Sequence, residues 1–274
     1  MDKRQIAVAM SVYHADKPEC FEESLSSLFN QTFSNIDIYI QVDGPISDDV
    51  KEIISKFQNK KKQIFVDFYP ISKGLAFQLN RAISTILNKN KYQFIARMDS
   101  DDISDINRFK KQIEFFDKMN NIAVLGSSVI EFYSNGQNHT KIMPTEHQAL
   151  AKNIIQRCPF NHPTVMFNLS VIKKEDLLYK SELKNTQDYY LWVDLLSKGY
   201  LFANIAQPLL YFRVDDNFHN RRGINKAIND VKSRFYAMKK LNCYSIKNIL
   251  FSASLFLLRF SPVFIKKIAY KNLR

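Results

Sequence analysis

This sequence of 274 residues is poor in glycine, cysteine and long apolar runs. Its six glycines form no G-x-G-x-x-G or Walker pattern, which argues against a glycine-rich phosphate-binding loop. No stretch reaches 18 uninterrupted apolar residues, and the nearest, 249–265, contains Arg259 and Pro262, so a membrane-spanning helix is not expected. The cysteines are too few and too scattered for a disulfide framework or a zinc site: Cys20, Cys158 and Cys243.

The scarcity of cysteine also bears on the compartment. The chain runs into an apolar segment at residues 6–10, a pattern typical of a buried strand rather than of a secretory signal. Together with the cysteine usage, this predicts a reducing, intracellular setting.

The formal net charge of +12 is concentrated near the C-terminus. Residues 1–230 contain 29 basic and 27 acidic side chains, whereas residues 231–274 contain ten basic side chains and no acidic one. A strong basic excess is typical of proteins that bind nucleic acid or an anionic membrane. A nucleic-acid-binding module would carry its cations over a continuous face, and the near-neutral first 230 residues argue against it. The sequence therefore indicates a near-neutral body with a basic tail.

Strand-like and helix-like segments alternate in the first hundred residues. A continuous apolar run predicts a strand covered on both faces at residues 6–12, and three further strands are predicted at 36–42, 63–69 and 92–98. Helical apolar periodicity fills the segments between them. Repeats of this length imply right-handed βαβ units, so the prediction is an α/β fold around a mostly parallel sheet. The second half is mixed, with a strand pattern at 122–133 and an amphipathic helix at 187–198.

Two of the predicted strands end in aspartates. Asp43 follows the second strand, and Asp99 and Asp101 follow the fourth. In open parallel sheets the ligand crevice lies at this carboxyl edge. Side chains at i and i+2 project from one face of a strand, so both carboxylates of the D-x-D pair can approach one Mg²⁺ or Mn²⁺ ion. The alternatives are a solvated acidic loop for the pair and a turn with Gly44 for Asp43.

Three further places are candidates for chemistry. Asp188 stands among aromatic residues at a predicted helix start, where burial would suit it to general-base catalysis. An equally good alternative is that Asp188 has only a structural role, because the helix dipole favours a negative charge in the first turn of a helix. His162 belongs to a candidate site loop, although an isolated histidine is more often structural. Arg221 and Arg222 fit either bidentate phosphate binding or a solvated pair.

Taken in order, the motifs resemble those of glycosyltransferase family 2, the inverting sugar-nucleotide transferases with a GT-A fold. The similarity extends over roughly residues 5 to 225 and is strongest for bacterial enzymes that extend O-antigen or capsule repeat units on a lipid carrier. The matching motifs are Ser11-Val12-Tyr13, Val42-Asp43-Gly44, Lys73-Gly74-Leu75-Ala76, Ala96-Arg97-Met98-Asp99-Ser100-Asp101-Asp102, His162-Pro163-Thr164, Gln187-Asp188-Tyr189 and Tyr211-x-Arg213.

The resemblance implies a role for each matching acidic residue. Asp43 would bind the uracil or ribose region of a UDP-sugar donor. Asp99 would contact the ribose or the metal, and Asp101 would coordinate the divalent cation on the diphosphate. Asp188 would deprotonate the acceptor hydroxyl, and one direct displacement would then give a β-linkage from an α-linked donor. Two other matching positions, Lys73 and Arg97, are assigned to the donor. His162, Trp192, Arg213 and, outside the matching motifs, Arg221 are assigned to the acceptor or a diphosphate.

The implied function is transfer of a hexose to an undecaprenyl-diphosphate-linked saccharide in O-antigen or capsule synthesis, with Mn²⁺ or Mg²⁺ as cofactor. The sequence departs from the family pattern at Gly44, which stands where a second aspartate is usual. It also lacks the processive Gln-x-x-Arg-Trp signature, so a single addition is expected. The alternatives are a basic nucleic-acid-binding protein and a non-catalytic membrane scaffold.

The predicted domain organisation has two parts. Residues 1–225 form the GT-A catalytic domain, divided into a nucleotide-sugar half at 1–102 and an acceptor half at 103–225. Residues 226–274 form basic amphipathic helices that attach the protein to anionic lipid at the cytoplasmic face of the bacterial inner membrane. The alternative for this tail is a helical hairpin packed on the catalytic domain, or a homodimer interface.

Overall fold

A computed structural model describes residues 5–60, 63–183, 185–214 and 224–260 of the chain. Within them, nine strands lie at Ile6–Tyr13 (β1), Ile36–Asp43 (β2), Ile64–Tyr69 (β3), Phe94–Arg97 (β4), Ile103–Ser104 (β5), Ile122–Tyr133 (β6), Asn138–Lys141 (β7), Met166–Asn168 (β8) and Leu201–Val214 (β9). Eight α-helices of the same residues lie at Pro18–Phe29 (α1), Asp48–Lys60 (α2), Leu75–Lys89 (α3), Arg108–Lys118 (α4), His147–Lys152 (α5), Gln187–Ser197 (α6), Ile224–Lys240 (α7) and Ile246–Phe260 (α8).

The strands join one sheet in the order β3-β2-β1-β4-β8-β6-β9-β5, with β7 paired to β6. β1 runs parallel to β2 and β4, β2 runs parallel to β3, and the long ladder between β6 and β9 is also parallel. β8 is antiparallel to both β4 and β6, while the short strands β5 and β7 are antiparallel to β9 and β6. The predicted α/β fold with a central, mostly parallel sheet is confirmed.

The side chains of β1 alternate between the two cores that cover the sheet. Ile6, Val8 and Met10 face a core formed with α1, α2 and α4, whereas Ala7 and Ala9 face a core formed with α3 and α6. This alternation follows from the two-residue period of a strand. Because helices cover both faces, β1 is buried along most of its length, as its uninterrupted apolar run predicts.

The C-terminal tail begins as a helical hairpin on the body of the protein. α7 packs against α6, and its Ala227, Ala237 and Met238 are fully buried. α8 packs back against α7. No helix in the described part of the chain is long and apolar enough to cross a membrane. The last basic residues of the tail, 261–274, lie outside the described residues.

Candidate active site

The first four strands place the aspartates at one edge of the sheet. Tyr13 at the end of β1 pairs with Asp43 at the end of β2, which pairs with Tyr69 at the end of β3. On the other side of β1, the Met98 backbone N–H donates to the Ala9 carbonyl oxygen (3.3 Å), so the chain after β4 continues towards the same edge. Asp43 and the D-x-D segment therefore lie at one edge of the sheet, the carboxyl edge at which open parallel sheets have their ligand crevice.

Asp43 is buried, and its carboxylate accepts four hydrogen bonds from the chain that follows β3. The donors are the backbone N–H groups of Lys73 (2.7 Å) and Gly74 (2.9 Å), the Ser72 hydroxyl (2.8 Å) and the Gln78 side-chain amide (2.7 Å). Burial alone would raise the pKa of Asp43, but these hydrogen bonds outweigh it and hold the pKa below its usual value. An ionised Asp43 thus fixes the loop before α3, where Gly74 supplies a φ of 90°. The Lys73 side chain on this loop is exposed.

Arg97 and Asp99 form an ion pair at the end of β4. The Arg97 side chain is buried, and its guanidinium also donates to the Met98 carbonyl oxygen. The Asp99 side chain remains 29% exposed, and its backbone carbonyl accepts a hydrogen bond from the Ser24 hydroxyl (2.9 Å). Arg97 therefore orients Asp99 from inside the protein and does not itself extend into the crevice.

Asp16, Asp99 and Asp101 form a cluster of like charges beside the crevice. Removal from water raises the pKa of Asp101 to about 7, with further contributions from the charges of Asp99 and Asp16. Burial also raises the pKa of Asp16 to about 6, against the lowering effect of hydrogen bonds from the Tyr13 backbone and the Ser100 side chain. Repulsion among these carboxylates favours a bound cation.

The residues present fit a divalent cation in charge and chemistry. Mg²⁺ and Mn²⁺ prefer oxygen ligands, and Asp99 and Asp101 supply two carboxylates. Among the described residues, no group of three His, Cys, Asp or Glu side chains is arranged to hold a metal by itself. Mg²⁺ characteristically keeps several waters and takes substrate phosphates as further ligands. The pair is therefore suited to a cation that arrives with a diphosphate.

Arg213 supports the turn that contains the D-x-D pair. Its backbone N–H donates to the Asp102 carboxylate (2.9 Å), and its Nε donates to the Asp101 carbonyl oxygen (2.9 Å). Its guanidinium also pairs with Glu23 (2.5 Å) and lies over the Phe132 ring, 4.6 Å from the centroid. These contacts tie β9 to the turn, so the structure places Arg213 as a support for Asp101.

Asp188 lies in the first turn of α6 and lines a cavity of about 340 Å³. That volume falls within the range of small-molecule sites, about 300–1,000 Å³. Thr186, at the N-cap of α6, has a φ of 64°, a conformation that β-branched residues rarely adopt and that clusters at functional sites. The wall of the cavity is formed by three parts of the chain. These are the start of α6 at 185–189, the earlier residues Cys158 and His162, and Asp230, Ser233 and Arg234 of α7.

His162 connects this cavity with the acidic edge of the sheet. Its Nε2 lies 2.8 Å from the Tyr179 hydroxyl oxygen. Burial of the ring and the charge of Arg97 hold the pKa of His162 well below its usual value, so the imidazole is neutral at pH 7. Burial raises the pKa of Tyr179, and the charges of Arg97, Asp188 and Asp99 all act on its hydroxyl. The charges of Asp99 and Asp188 therefore both reach the Tyr179 hydroxyl, the partner of His162 in the cavity wall.

Trp192 and Arg221 stand apart from this arrangement. The Trp192 ring is fully buried, stacked on Phe167 with centroids 5.9 Å apart and edge-on to Phe160 at 5.0 Å. The structure therefore places Trp192 in the core behind the cavity rather than on its wall, where an acceptor contact was expected. Its role there is to support α6 and the His162 ring, whose centroid lies 6.0 Å away. Arg221 lies outside the described residues.

Three contributors to the site were missed by the sequence analysis. Asp16 belongs to the acidic cluster. It was missed because Pro18, two residues later, begins helix α1, so the sequence pattern indicates only a helix start at Asp16. Tyr179 belongs to no motif and is identified only by its hydrogen bond to His162. The cavity residues of α7 belong to the tail, and the basic composition of the tail indicated membrane attachment rather than a part of the site.

Comparison with known proteins finds a family and several relatives. The model of glycosyl transferase family 2 matches residues 7–178. The chain is 30% identical over 230 residues to the amylovoran biosynthesis glycosyltransferase AmsE of Erwinia amylovora, covering 82% of this chain and 83% of the relative. It is 28% identical over 243 residues to the Escherichia coli UDP-Gal:alpha-D-GlcNAc-diphosphoundecaprenol beta-1,3-galactosyltransferase, covering 86% and 84%. The crystal structure of S. aureus TarS 1-349 in complex with UDP-GlcNAc has the same fold, with a TM-score of 0.69 and 19% identity over 93% of this chain and 72% of that one.

Proposed function

The chain belongs to glycosyl transferase family 2 and has the GT-A fold, and we propose that it transfers a hexose from a UDP-sugar to a lipid-linked saccharide with inversion at the anomeric carbon. One observation carries the proposal: the charges of Asp99 and Asp188 both act on the Tyr179 hydroxyl, which lies 2.8 Å from Nε2 of His162 in the wall of the Asp188 cavity. Transfer needs these two neighbouring sites, because a departing diphosphate must be neutralised beside the place where an acceptor hydroxyl is deprotonated.

The proposed donor is a UDP-hexose bound at the acidic edge of the sheet. The E. coli relative is named for its use of UDP-Gal, and TarS was solved with UDP-GlcNAc, which supports this donor class. We assign Asp43 and Lys73 to the uridine end, because Asp43 holds the loop that carries the exposed Lys73 side chain. Arg97 acts through Asp99, which it orients towards the ribose or the cation.

Asp99 and Asp101 are the proposed holders of Mn²⁺ or Mg²⁺ together with the donor diphosphate. A bound divalent cation supplies charge neutralisation for the departing UDP. The protein contributes two carboxylates in fixed orientations. The ion pair with Arg97 sets the position of Asp99, and the contacts of Arg213 set the turn at Asp101.

Asp188 is the proposed general base. Its carboxylate accepts the proton of the acceptor hydroxyl while the hydroxyl oxygen forms a bond to the anomeric carbon. The bond from that carbon to the β-phosphate oxygen breaks, and its electron pair leaves with UDP. A single displacement from the opposite face converts an α-linked donor into a β-linked product. His162, neutral at pH 7, can donate or accept one hydrogen bond beside Asp188.

The proposed acceptor is a saccharide on undecaprenyl diphosphate, used in O-antigen or capsule repeat-unit synthesis. Its support is the naming of the relatives, one for amylovoran biosynthesis and one for a GlcNAc-diphosphoundecaprenol acceptor. Residues 1–225 are the proposed catalytic domain, with the donor at 1–102 and the acceptor at 103–225. Because the processive signature is missing from the sequence, the proposed enzyme adds a single sugar to each acceptor.

Acceptor-dependent release of UDP tests this function. We expect the protein, supplied with UDP-hexoses, Mn²⁺ and an alkyl-diphosphate-linked α-N-acetylglucosamine, to release UDP faster than it does without the acceptor. A coupled assay for UDP measures both rates, and EDTA should abolish the difference. A protein that bound no UDP-sugar and released no UDP with any lipid-diphosphate saccharide would fit a non-catalytic scaffold instead.

We further propose that the tail holds the enzyme on the cytoplasmic face of the inner membrane. Three apolar side chains on one side of α8, Ile246, Leu250 and Leu257, are each more than 60% exposed. Exposed Lys239 and Lys247 lie in the same hairpin, and residues 231–260 contain no acid. Apolar side chains that insert between headgroups, combined with cations that attract anionic lipid, make an interfacial anchor.

Serine replacement of these three α8 side chains should weaken binding to vesicles that contain phosphatidylglycerol. We expect at least a tenfold loss, because each large apolar side chain contributes about 1.5–3 kcal/mol when it is fully buried. Co-sedimentation measures the bound fraction. Ile142→Ser, which alters a similarly exposed apolar residue on the body, is the matched control. Equal sedimentation of the triple variant and the wild type would exclude this anchor.

A further inference from the structure

The D-x-D pair lies in the turn between two strands of the sheet. β4 ends at Arg97 and β5 begins at Ile103, so the segment from Asp99 to Asp102 lies between these strands rather than within one. Within a strand, the pleat keeps side chains at i and i+2 on one face. In a turn, the relative direction of the two carboxylates depends on contacts with other parts of the chain.

A polar stripe on α1 faces this turn. Ser24 and Ser27 lie one helical turn apart, and Gln31 follows just after the end of the helix, so the three side chains share one face. All three are buried. Buried polar side chains need hydrogen-bond partners, and each of the three has a partner between residues 99 and 109. The stripe therefore joins α1 to the segment that contains the D-x-D pair.

Ser24 holds the first residue of the pair by its main chain. Its hydroxyl donates to the Asp99 carbonyl oxygen (2.9 Å), while Arg97 pairs with the carboxylate of the same residue. On the other side of the turn, the Nε of Arg213 donates to the Asp101 carbonyl oxygen (2.9 Å). The peptide groups that follow Asp99 and Asp101 are thus each held by a side chain from another element.

The other two stripe residues bind the chain beyond the pair. The Ser27 hydroxyl accepts a hydrogen bond from the Ser104 backbone N–H (3.0 Å), and the Gln31 side-chain amide donates to the Asp105 carbonyl oxygen (2.7 Å). These contacts lie in β5 and after it. Of the three stripe residues, Ser24 is the one bonded to the D-x-D pair itself.

We propose that Ser24 is a positioning residue for the divalent cation of the transfer reaction. The proposal rests on the proposed role of Asp99 and Asp101 as holders of that cation. Rotation of the peptide group after Asp99 would change the angle between the two carboxylates, and Ser24 opposes this rotation by keeping the carbonyl oxygen directed towards α1. A pair that is already oriented binds the cation and its diphosphate more tightly, because less ordering is required on binding.

Ser24→Ala tests this role through the affinity for UDP. Alanine favours the helix, so the variant should retain α1. With saturating Mn²⁺, we expect its Kd for UDP to be about three- to tenfold higher than that of the wild type, the effect of losing one hydrogen bond. In EDTA the two proteins should bind UDP equally, because the uridine end is assigned to Asp43 and Lys73. Isothermal titration calorimetry measures all four constants.

Ser27→Ala is the matched control, because it removes a buried hydroxyl from the same stripe one turn away. It deprives the Ser104 N–H of its partner, so its melting temperature should fall at least as far as that of Ser24→Ala. Its Kd for UDP should nevertheless match that of the wild type in Mn²⁺ and in EDTA. Equal weakening of Ser24→Ala in both buffers, or the same metal-dependent loss in Ser27→Ala, would overturn the proposal.

The same titrations separate this proposal from the proposed function. A wild type that binds UDP equally in Mn²⁺ and in EDTA would contradict the cation site at Asp99 and Asp101, and the positioning role with it. A wild type that binds UDP more tightly with Mn²⁺, beside a Ser24→Ala variant with the same Kd values, would overturn the positioning role alone.

Discussion

Replacing Asp188 with asparagine is expected to lower the transfer rate by about 10²–10⁴-fold while UDP-sugar binding stays unchanged. Asparagine keeps the shape of the side chain in the first turn of α6 but cannot accept the proton of the acceptor hydroxyl. The donor is assigned to the acidic edge of the sheet, so its affinity does not depend on this carboxylate. Acceptor-dependent UDP release measures the rate, and a thermal shift with UDP-sugar and Mn²⁺ measures donor binding.

The matched control is Asp194→Asn, the same chemical change six residues later on α6. Asp194 faces Lys180 (3.3 Å) and Tyr236 and does not line the cavity, so its replacement should affect stability more than the rate of transfer. Full transfer activity in Asp188→Asn would remove the assignment of Asp188 as the base. Loss of both transfer and donor binding would show that the substitution disturbs the fold around α6.

Replacing Asp101 with asparagine is expected to remove the activation of transfer by Mn²⁺ without weakening the fold. The substitution takes away one of the two carboxylates assigned to the cation, so metal-stimulated turnover should fall by about two orders of magnitude or more. It also removes a charge that is partly withdrawn from water and repelled by Asp99 and Asp16. In metal-free buffer the melting temperature of the variant should therefore equal or exceed that of the wild type.

Asp105→Asn provides the comparison for Asp101. Asp105 lies in the same acidic stretch, and its carboxylate accepts a hydrogen bond from the Asn107 backbone (3.0 Å), which an asparagine oxygen can also accept. Its metal response should match that of the wild type. An Asp101→Asn enzyme with an unchanged response to Mn²⁺ would show that the D-x-D pair does not hold the cation.

The strand ends were predictable because they follow from local patterns. The apolar runs that end at Asp43 and before Asp99 are strands β2 and β4, and their parallel pairing with β1 brings both ends to one edge. The i and i+2 spacing of Asp99 and Asp101 needs no knowledge of the rest of the chain. The acidic edge of the candidate site is thus encoded in short segments of sequence.

The partners of these residues were not predictable, since they come from distant parts of the chain. The four donors to Asp43 lie about 30 residues later, and the loop that carries them reaches Asp43 only after β3 and its turn have formed. Arg213 reaches the D-x-D turn from β9, more than a hundred residues away. Contacts over such separations depend on the pairing of the whole sheet.

The direction in which each face of a helix points was also not predictable from the sequence, as Trp192 and α7 show. The pattern of α6 marks Asp188 and Trp192 as neighbours on one amphipathic helix, but only the packed structure shows that Trp192 faces the core while Asp188 lines the cavity. The basic residues that mark α7 in the sequence, such as Lys232 and Lys239, lie on its exposed face. Its inner face, which carries Arg234, is defined by the contact with α6.

The anomeric configuration of the product tests the central claim most directly. The wild-type protein, incubated with an α-linked UDP-hexose, Mn²⁺ and the alkyl-diphosphate-linked α-N-acetylglucosamine, should form a disaccharide whose new linkage is β, as measured by proton NMR of the anomeric signal. Inversion follows from a single displacement assisted by Asp188, so an α-linked product would contradict the proposed mechanism.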